Sequence, residues 1–220
     1  PAHPPPPRPV RLLLALALLA AVPATAAPPD TLSARYVQKD EAALTRMRAA
    51  ARSTSEDLLL RYRLYPLTGD ARLLRDLPGT EACEGARDYA LLSALWGFRI
   101  SEAPPWKVPT YGRRSSALLE RARALDPDDP YVLLVEGQSL LFRPALFGGD
   151  PEAALDRFER LGAVLRERPV PGMEPLEAEV WRWTTLRRLG RPEAEALRQR
   201  LLAQDPPPLF RDFLLSPPDR

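Results

Sequence analysis

The sequence predicts an all-α fold, and three observations lead to that expectation. Apolar residues recur at three- and four-residue spacings through most of the chain, which is the period of one face of a helix. Clusters of Pro, Gly and Asp divide these stretches into segments of helical length. No segment shows the sustained alternation, the β-branched enrichment or the Asn-Gly turns that strands require.

The first 26 residues are predicted to be a cleaved secretory signal peptide. Arg8 and Arg11 precede the apolar run LLLALALLAAV, and the small residues ATA supply a cleavage pattern ending at Ala26. The alternative is a membrane anchor, but the run is about 11 residues long, whereas about 20 are needed to span a bilayer. We therefore expect a periplasmic or secreted protein that is cut after Ala26 and keeps no stable membrane anchor.

Three helices are expected in the first half of the chain. The segment TLSARYVQKDEAALTRMRAAA, over Thr31–Ala51, has the spacing of one amphipathic helix. A second helix has Ser55 as a candidate N-cap and ends at Pro66. A third runs from about Thr80 to Ile100 and contains Cys83, the sole cysteine, which is expected to be a buried core thiol rather than a reactive one.

The second half of the chain is more regular. Helices are expected in RRSSALLERARALDPDDP, YVLLVEGQSLLF, PEAALDRFERLGAVLRE, PLEAEVWRWTTLRRLG and PEAEALRQRLLAQD. Helices of about 12 to 17 residues joined by short Pro, Gly and Asp turns pack as antiparallel pairs, and pairs stacked in series form a solenoid. The sequence therefore predicts antiparallel helix pairs stacked as a short solenoid.

The segment ALLERARALDPDDPYVLLVEG resembles the junction between consecutive tetratricopeptide repeats (TPRs). Ala122 stands at the helix-packing position, Pro127 closes the LDP terminator, and Gly137 follows about ten residues later. GDPEAALDRFERL is similar to the second helix of such a repeat, with Ala154 as the small packing residue and Phe158 as the large one. In this interpretation Pro127 stops one helix, and Gly137 lets the paired helix approach closely.

The resemblance covers about residues 80–205 and divides the chain accordingly. We expect a TPR-like helical repeat domain at 80–205 and an N-terminal helical segment at 27–79. A Pro-rich tail follows at 206–220. Two alternatives remain for the tail: a terminal helix that covers the exposed edge of the core, or a docking peptide for another protein.

The connector PALFGGD holds about five residues more than a TPR turn needs, and it resembles a segment that recurs in exported bacterial repeat proteins with one extended hairpin turn. Pro144 is expected to end the preceding helix. Gly148 and Gly149 are expected to permit positive φ angles. Asp150 is expected to cap the next helix, with Pro151 at its first position.

Leu146 and Phe147 are the apolar residues of this connector. In one interpretation they fold back and plug the end of the helical hairpin. In the other they form an exposed hydrophobic contact for a partner. Both remain open at the level of the sequence.

Four aromatic residues are candidates for lining a concave binding groove. Trp181 and Trp183 flank an arginine, while Trp106 and Tyr111 border KVPTYG. Two tryptophans two residues apart on a helix point to different faces, so at most one lies fully in the core. The other residues of the set then either line a groove, because Trp and Arg dominate binding hot spots, or pack between repeats.

Composition excludes several classes of function. The only histidine, His3, precedes the predicted cleavage point, so the mature chain lacks the histidine of Ser-His-Asp and Cys-His sites. Removing the signal peptide leaves 29 basic and 29 acidic residues. This balance gives no excess positive charge of the kind that nucleic-acid-binding proteins carry. Glu174, Glu177 and Glu179 are interpreted as surface charge on one helix face. We expect no enzyme activity, no metal and no cofactor.

These features lead to a functional expectation. The resemblance implies a non-catalytic, exported helical-repeat scaffold that mediates protein–protein interaction in the bacterial envelope, with a protein or peptide as its partner. The alternative is a periplasmic component of a transport system that binds a small apolar or anionic ligand. A contiguous apolar cavity favours the alternative, whereas an open charged groove favours the scaffold.

Overall fold

The computed structural model describes residues 31–217, so the predicted signal peptide lies outside the described residues. This part of the chain is helical, and its one β-pairing is an isolated bridge between Val170 and Met173. The α-helices are α1 (Thr31–Val37), α2 (Glu41–Ala49), α3 (Thr54–Thr68), α4 (Ala86–Ser101), α5 (Val108–Leu125), α6 (Pro130–Phe142), α7 (Pro151–Glu167), α8 (Pro175–Arg188), α9 (Glu193–Ala203) and α10 (Pro208–Leu215). Short 3₁₀ turns lie at Ala71–Leu74, Thr80–Ala82, Pro105–Lys107 and Ala145–Phe147.

The single helix predicted over Thr31–Ala51 is wrong, because α1 and α2 are separate helices. Lys39, between them, has a φ of 57°, in the left-handed region that interrupts a helix. Asp40 then caps α2, since its carboxylate accepts a hydrogen bond from the Ala43 backbone N–H at 3.0 Å. The apolar spacing continues across the break, so the periodicity alone does not reveal it.

The predicted ends of α3 are also wrong. Ser53, rather than Ser55, is the N-cap that accepts a backbone N–H at 3.2 Å. Pro66 lies inside the helix, and Gly69, with a φ of 63°, forms its C-cap. Every residue from 58 to 64 is buried, so tertiary packing extends the helix past a residue that disfavours it.

The helix predicted from Thr80 to Ile100 is shorter at its N-terminus. A 3₁₀ turn comes first, and Gly85 is the N-cap of α4, which leaves Cys83 outside the helix and partly buried against the core. Burial, followed by the nearby carboxylates of Asp88 and Glu81, raises the pKa of the Cys83 thiol to about 11. The thiol is therefore protonated at neutral pH, which disfavours nucleophilic chemistry.

Helices α4 to α9 form three antiparallel pairs, α4–α5, α6–α7 and α8–α9. In the first pair, the Ser93 hydroxyl donates to the Ser115 carbonyl at 2.7 Å. In the second, the Arg157 Nε donates to the Glu136 carboxylate at 2.8 Å. Among residues 31–217, no helix is both long and apolar enough to cross a membrane.

The main core passes through the predicted boundary at residue 79. Leu58, Leu59 and Tyr62 of α3 belong to the same cluster of buried residues as Phe158 and Leu161 of α7. The N-terminal helices therefore share a core with the helix pairs that follow them.

The first and last described helices are in contact. Val37 of α1 is buried in one cluster with Phe210 and Leu214 of α10, and the Lys39 Nζ lies 2.8 Å from an Asp212 carboxylate oxygen. The repeats of a linear solenoid contact only their neighbours. Here the N-terminal helix α1 contacts the C-terminal helix α10. α10 also covers apolar residues of α8 and α9, which agrees with the first of the two alternatives for the tail.

Candidate functional site

The connector between α6 and α7 is a tight, ordered turn. Pro144 follows the end of α6 and leads into the 3₁₀ turn. Gly148 has a φ of 87°, as the sequence analysis expects, and so ends that turn in the left-handed region. Asp150 caps α7 by accepting the Glu152 and Ala153 N–H groups at 3.0 and 3.1 Å, which fixes the direction of the helix that follows.

Gly149 does not have the positive φ expected for it, and its role is different. A Cβ atom at this position would lie 1.8 Å from the carbonyl oxygen of Arg143. Real Cβ atoms do not approach a backbone atom so closely. Gly149 is therefore required because its backbone packs directly on the Arg143 carbonyl and leaves no room for a Cβ atom, whereas Gly148 is required by its positive φ.

Backbone hydrogen bonds hold the connector in one conformation. The N–H groups of Phe147 and Gly149 donate to the Pro144 carbonyl at 2.9 and 3.1 Å. The Asp150 N–H donates to the Leu140 carbonyl at 2.9 Å, which closes the turn onto the end of α6. Few backbone donors are left to water, so the connector is pre-organised.

This ordered turn presents two apolar side chains to solvent. Leu146 is 88% exposed and Phe147 is 68% exposed. The interpretation in which they fold back and plug the hairpin is wrong, because the turn points them away from the core. The interpretation in which they form a contact for a partner stays a prediction.

The four aromatic residues proposed for a groove do not form one site. Trp183 is 2% exposed and lies in the core beside α9 and α10. Trp181 is enclosed by aromatic rings at 5.2 to 5.9 Å, which belong to Phe142, Phe158 and Phe213. Trp183 is therefore a core residue, whereas Trp181 is partly buried against other aromatic rings.

The other two aromatic residues lie near the start of α5, Tyr111 in the helix and Trp106 in the 3₁₀ turn before it. Tyr111 packs edge-on against Trp96 at 5.2 Å, and the Arg99 guanidinium lies over both rings. Trp106, in the 3₁₀ turn before α5, is 76% exposed. No ring contact in the described part of the chain joins this group to Trp181 or Trp183.

Of the residues assigned to repeat packing, Pro127 is exposed and the other four are buried. Ala122 and Ala154 are fully buried, and Pro127 follows the end of α5. A Cβ atom on Gly137 would lie 2.6 Å from the Phe158 ring. Gly137 thus lets the large side chain of α7 lie directly on α6, as expected for a glycine at a helix crossing.

A buried ion pair joins α3 and α8, and no pattern in the sequence predicts it. The Arg63 Nη1 and Nη2 atoms donate to the two Glu177 carboxylate oxygens at 2.6 and 2.8 Å, and Nη2 also donates to the Gly172 carbonyl at 2.6 Å. The guanidinium lies 4.4 Å from the centre of the Tyr36 ring. The interpretation of Glu177 as surface charge is therefore wrong, because it is the partner of a buried cation.

The electrostatics of this pair follow from its burial. Burial alone lowers the pKa of Arg63, but the facing Glu177 carboxylate outweighs it and holds the pKa above its usual value. Burial also raises the pKa of the Tyr36 hydroxyl. The pair joins α3 to α8.

The two neighbouring glutamates have other partners. Glu174 accepts a hydrogen bond from the Ser33 hydroxyl, which ties α1 to the start of α8. Glu179 lies 3.7 and 3.4 Å from Arg182 and Arg200 in partly exposed ion pairs. Of the three, Glu179 alone has the expected surface role.

Nothing in the described residues assembles a metal centre, because no three His, Cys, Asp or Glu side chains among residues 31–217 group closely enough to hold an ion. No family model, curated protein or solved structure matches this chain.

Proposed function

We propose that this chain is an exported, non-catalytic helical-repeat scaffold of the TPR-like kind, which binds a protein partner in the bacterial envelope through Leu146 and Phe147. One observation carries the proposal: two consecutive large apolar side chains are 88% and 68% exposed on a hydrogen-bonded turn. Burying each such side chain stabilises a protein by about 1.5–3 kcal/mol. A partner that covers them recovers this free energy.

The conformation of the connector favours tight binding. Its backbone is already fixed by hydrogen bonds to Pro144 and Leu140, so a partner does not have to order it. The residues on either side are polar: Arg143 precedes the turn, and Asp150 ends it. An apolar centre with a polar rim is the usual anatomy of a protein interface, so the partner is expected to offer an apolar pocket for the two side chains.

A crosslinked affinity purification from the native envelope extract tests this proposal. The wild-type chain is compared with a Leu146→Ser/Phe147→Ser variant and with Trp106→Ser, a matched control that removes another exposed aromatic side chain. Circular dichroism checks that all three fold, which is expected because the substituted side chains are exposed.

We expect one partner to be retained by the wild type and by Trp106→Ser and to be lost from the double variant. A crosslink mapped to the connector identifies the contact directly. Equal retention by all three proteins, or unfolding of the double variant, contradicts the proposal.

A second candidate function is ligand binding for an envelope transport system. It is favoured by an open cleft of about 480 Å³ next to α2 and α3, most of whose lining residues are apolar. This volume lies within the roughly 300–1,000 Å³ of small-molecule sites.

A further inference from the structure

The cleft next to α2 and α3 is bounded by the N-terminal helices on one side and by the loop before α8 on the other. Its apolar walls are formed by Leu32, Met47, Ala51, Leu59, Leu60 and Pro171. It lies apart from the connector, since no connector residue lines it.

A single arginine, Arg87 in the first turn of α4, lines this apolar cleft. Its Nε atom is buried and has no hydrogen-bond partner among the described residues. A buried donor without a partner is destabilising, so such groups call for an explanation. Because Nε is itself buried, a ligand in the cleft would meet the terminal Nη groups of Arg87, which form no ion pair among the described residues.

The Arg87 guanidinium is held in place by a ring rather than by a carboxylate. It lies 4.5 Å from the centre of the Tyr131 ring, and the Tyr131 hydroxyl is itself fixed by donating to the Pro171 carbonyl at 2.8 Å. A cation–π contact uses the face of the guanidinium and leaves its N–H donors unengaged. The ring contact thus fixes the position of Arg87 and leaves its terminal N–H groups able to donate hydrogen bonds to a ligand.

The carboxylates of this region are engaged elsewhere. Glu56, which lines the cleft, accepts the Arg52 backbone N–H at 2.7 Å. Asp129 accepts the Tyr131 N–H at 2.8 Å at the start of α6. Within residues 31–217, neither carboxylate forms an ion pair with Arg87, although Glu56 shares the cleft with it and the Arg87 charge favours the ionised form of Asp129.

We propose that the cleft binds an amphipathic monocarboxylate, with its carboxylate on Arg87 and its aliphatic body against Leu59, Leu60 and Met47. The planar guanidinium fork matches a carboxylate in geometry and charge. The apolar walls match an alkyl chain. This inference deepens the ligand-binding candidate function and rests on it, and it is independent of docking by the connector.

Isothermal titration of the full chain with decanoate tests the inference. We expect saturable binding of one decanoate per chain below its micellar range, and binding at least tenfold weaker in Arg87→Gln. Arg121→Gln is the matched control, because it removes an exposed arginine from α5, and it is expected to bind as the wild type does. Decanol, which lacks the carboxylate, is expected to bind at least tenfold more weakly than decanoate to the wild type.

A second variant keeps the test decisive if Arg87→Gln does not fold. Ala50 is exposed and lines the cleft, so Ala50→Phe fills the space and leaves Arg87 in place. We expect it to abolish decanoate binding. Absence of saturable binding to the wild type, undiminished affinity in a folded Arg87→Gln, or full affinity in Ala50→Phe overturns the inference, whereas none of these results bears on the connector.

Discussion

At the scale of single residues, Arg63 and Glu177 show how a charge is accommodated inside an apolar core. Their side chains are almost completely buried, and both guanidinium Nη atoms and both carboxylate oxygens are hydrogen-bonded. Removing either partner leaves the other charge in a place that water does not reach. The pair is thus costly to break, even though an apolar pair of the same shape would serve stability as well.

Glu177→Gln is therefore expected to destabilise the protein strongly. Losing one member of a buried pair costs about 3–5 kcal/mol, so the free energy of unfolding measured by urea denaturation should fall by about that amount. Glu179→Gln, two positions away, breaks partly exposed ion pairs and should cost under about 1 kcal/mol. Similar losses in both variants would show that the Arg63 charge is not isolated from water.

The sequence predicted the apolar residues of this core but not the pair itself. Arg63 lies within the buried run of residues 58–64, where an arginine is unusual. Its position in this mostly apolar part of the helix is the only local signal of a buried cation. Its partner is 114 residues away. Spacing within one helix carries no information about such a contact, which is why Glu177 was assigned to the surface.

At the scale of secondary-structure elements, the connector places different demands on its two glycines. Gly148 needs a positive φ, which asparagine also adopts at modest cost. Gly149 needs the absence of a Cβ atom, because backbone occupies that space. In this turn, a residue other than glycine is therefore tolerated better at the positive φ of position 148 than at position 149, where backbone fills the space of a Cβ atom.

Gly149→Ala is therefore expected to be the more damaging of two connector variants. Relieving the overlap with the Arg143 carbonyl has to shift the turn, at about 1–3 kcal/mol, and should weaken capture of the partner. Gly148→Asn should cost less. Thermal unfolding measured by circular dichroism distinguishes them, and a smaller loss in Gly149→Ala would mean that the turn is not held as tightly as its hydrogen bonds indicate.

The start of α7 was predicted, whereas both ends of α3 and the break between α1 and α2 were missed. Asp150 and Pro151 define the start of α7 from the sequence alone, because a cap acts within its own turn. The break at Lys39 has no Pro or Gly to mark it. Similarly, α3 runs past Pro66 because buried leucines stabilise it, and that packing is not visible in the turn residues.

At the scale of the whole molecule, the described chain is closed by contact between its first and last helices. α10 lies against α1, α8 and α9, and the Arg198 Nε of α9 donates to the Leu214 carbonyl at 2.8 Å. The short last helix thus covers apolar side chains of three others. Stability should depend on its buried face and hardly at all on its outer one.

Leu214→Ala and Leu215→Ala form a matched pair for this expectation. Leu214 is 0% exposed, whereas Leu215, on the same helix, is 55% exposed. The first substitution should lower the free energy of unfolding by about 2–5 kcal/mol and the second by no more than about 0.5 kcal/mol. Chemical denaturation measures both, and equal effects would argue against a covering role for α10.

The all-α fold and the antiparallel pairs were predictable because both follow from the periodicity and the turn residues of neighbouring segments. The closure was not predictable in the same way. It depends on the burial of Val37 with Phe210 and Leu214, which are far apart in the sequence, and on a tail that the sequence left between two alternatives.

The ion pair between α3 and α8 also constrains how the protein is made. Ribosomes add about 5–20 residues per second, so Arg63 is synthesised roughly 6–23 s before Glu177, which is 114 positions later. During that interval the nascent α3 has neither its counter-ion nor the C-terminal part of its core. The N-terminal helices therefore reach their final packing only once the C-terminal helices are present, because Val37 of α1 also packs with Phe210 and Leu214 of α10.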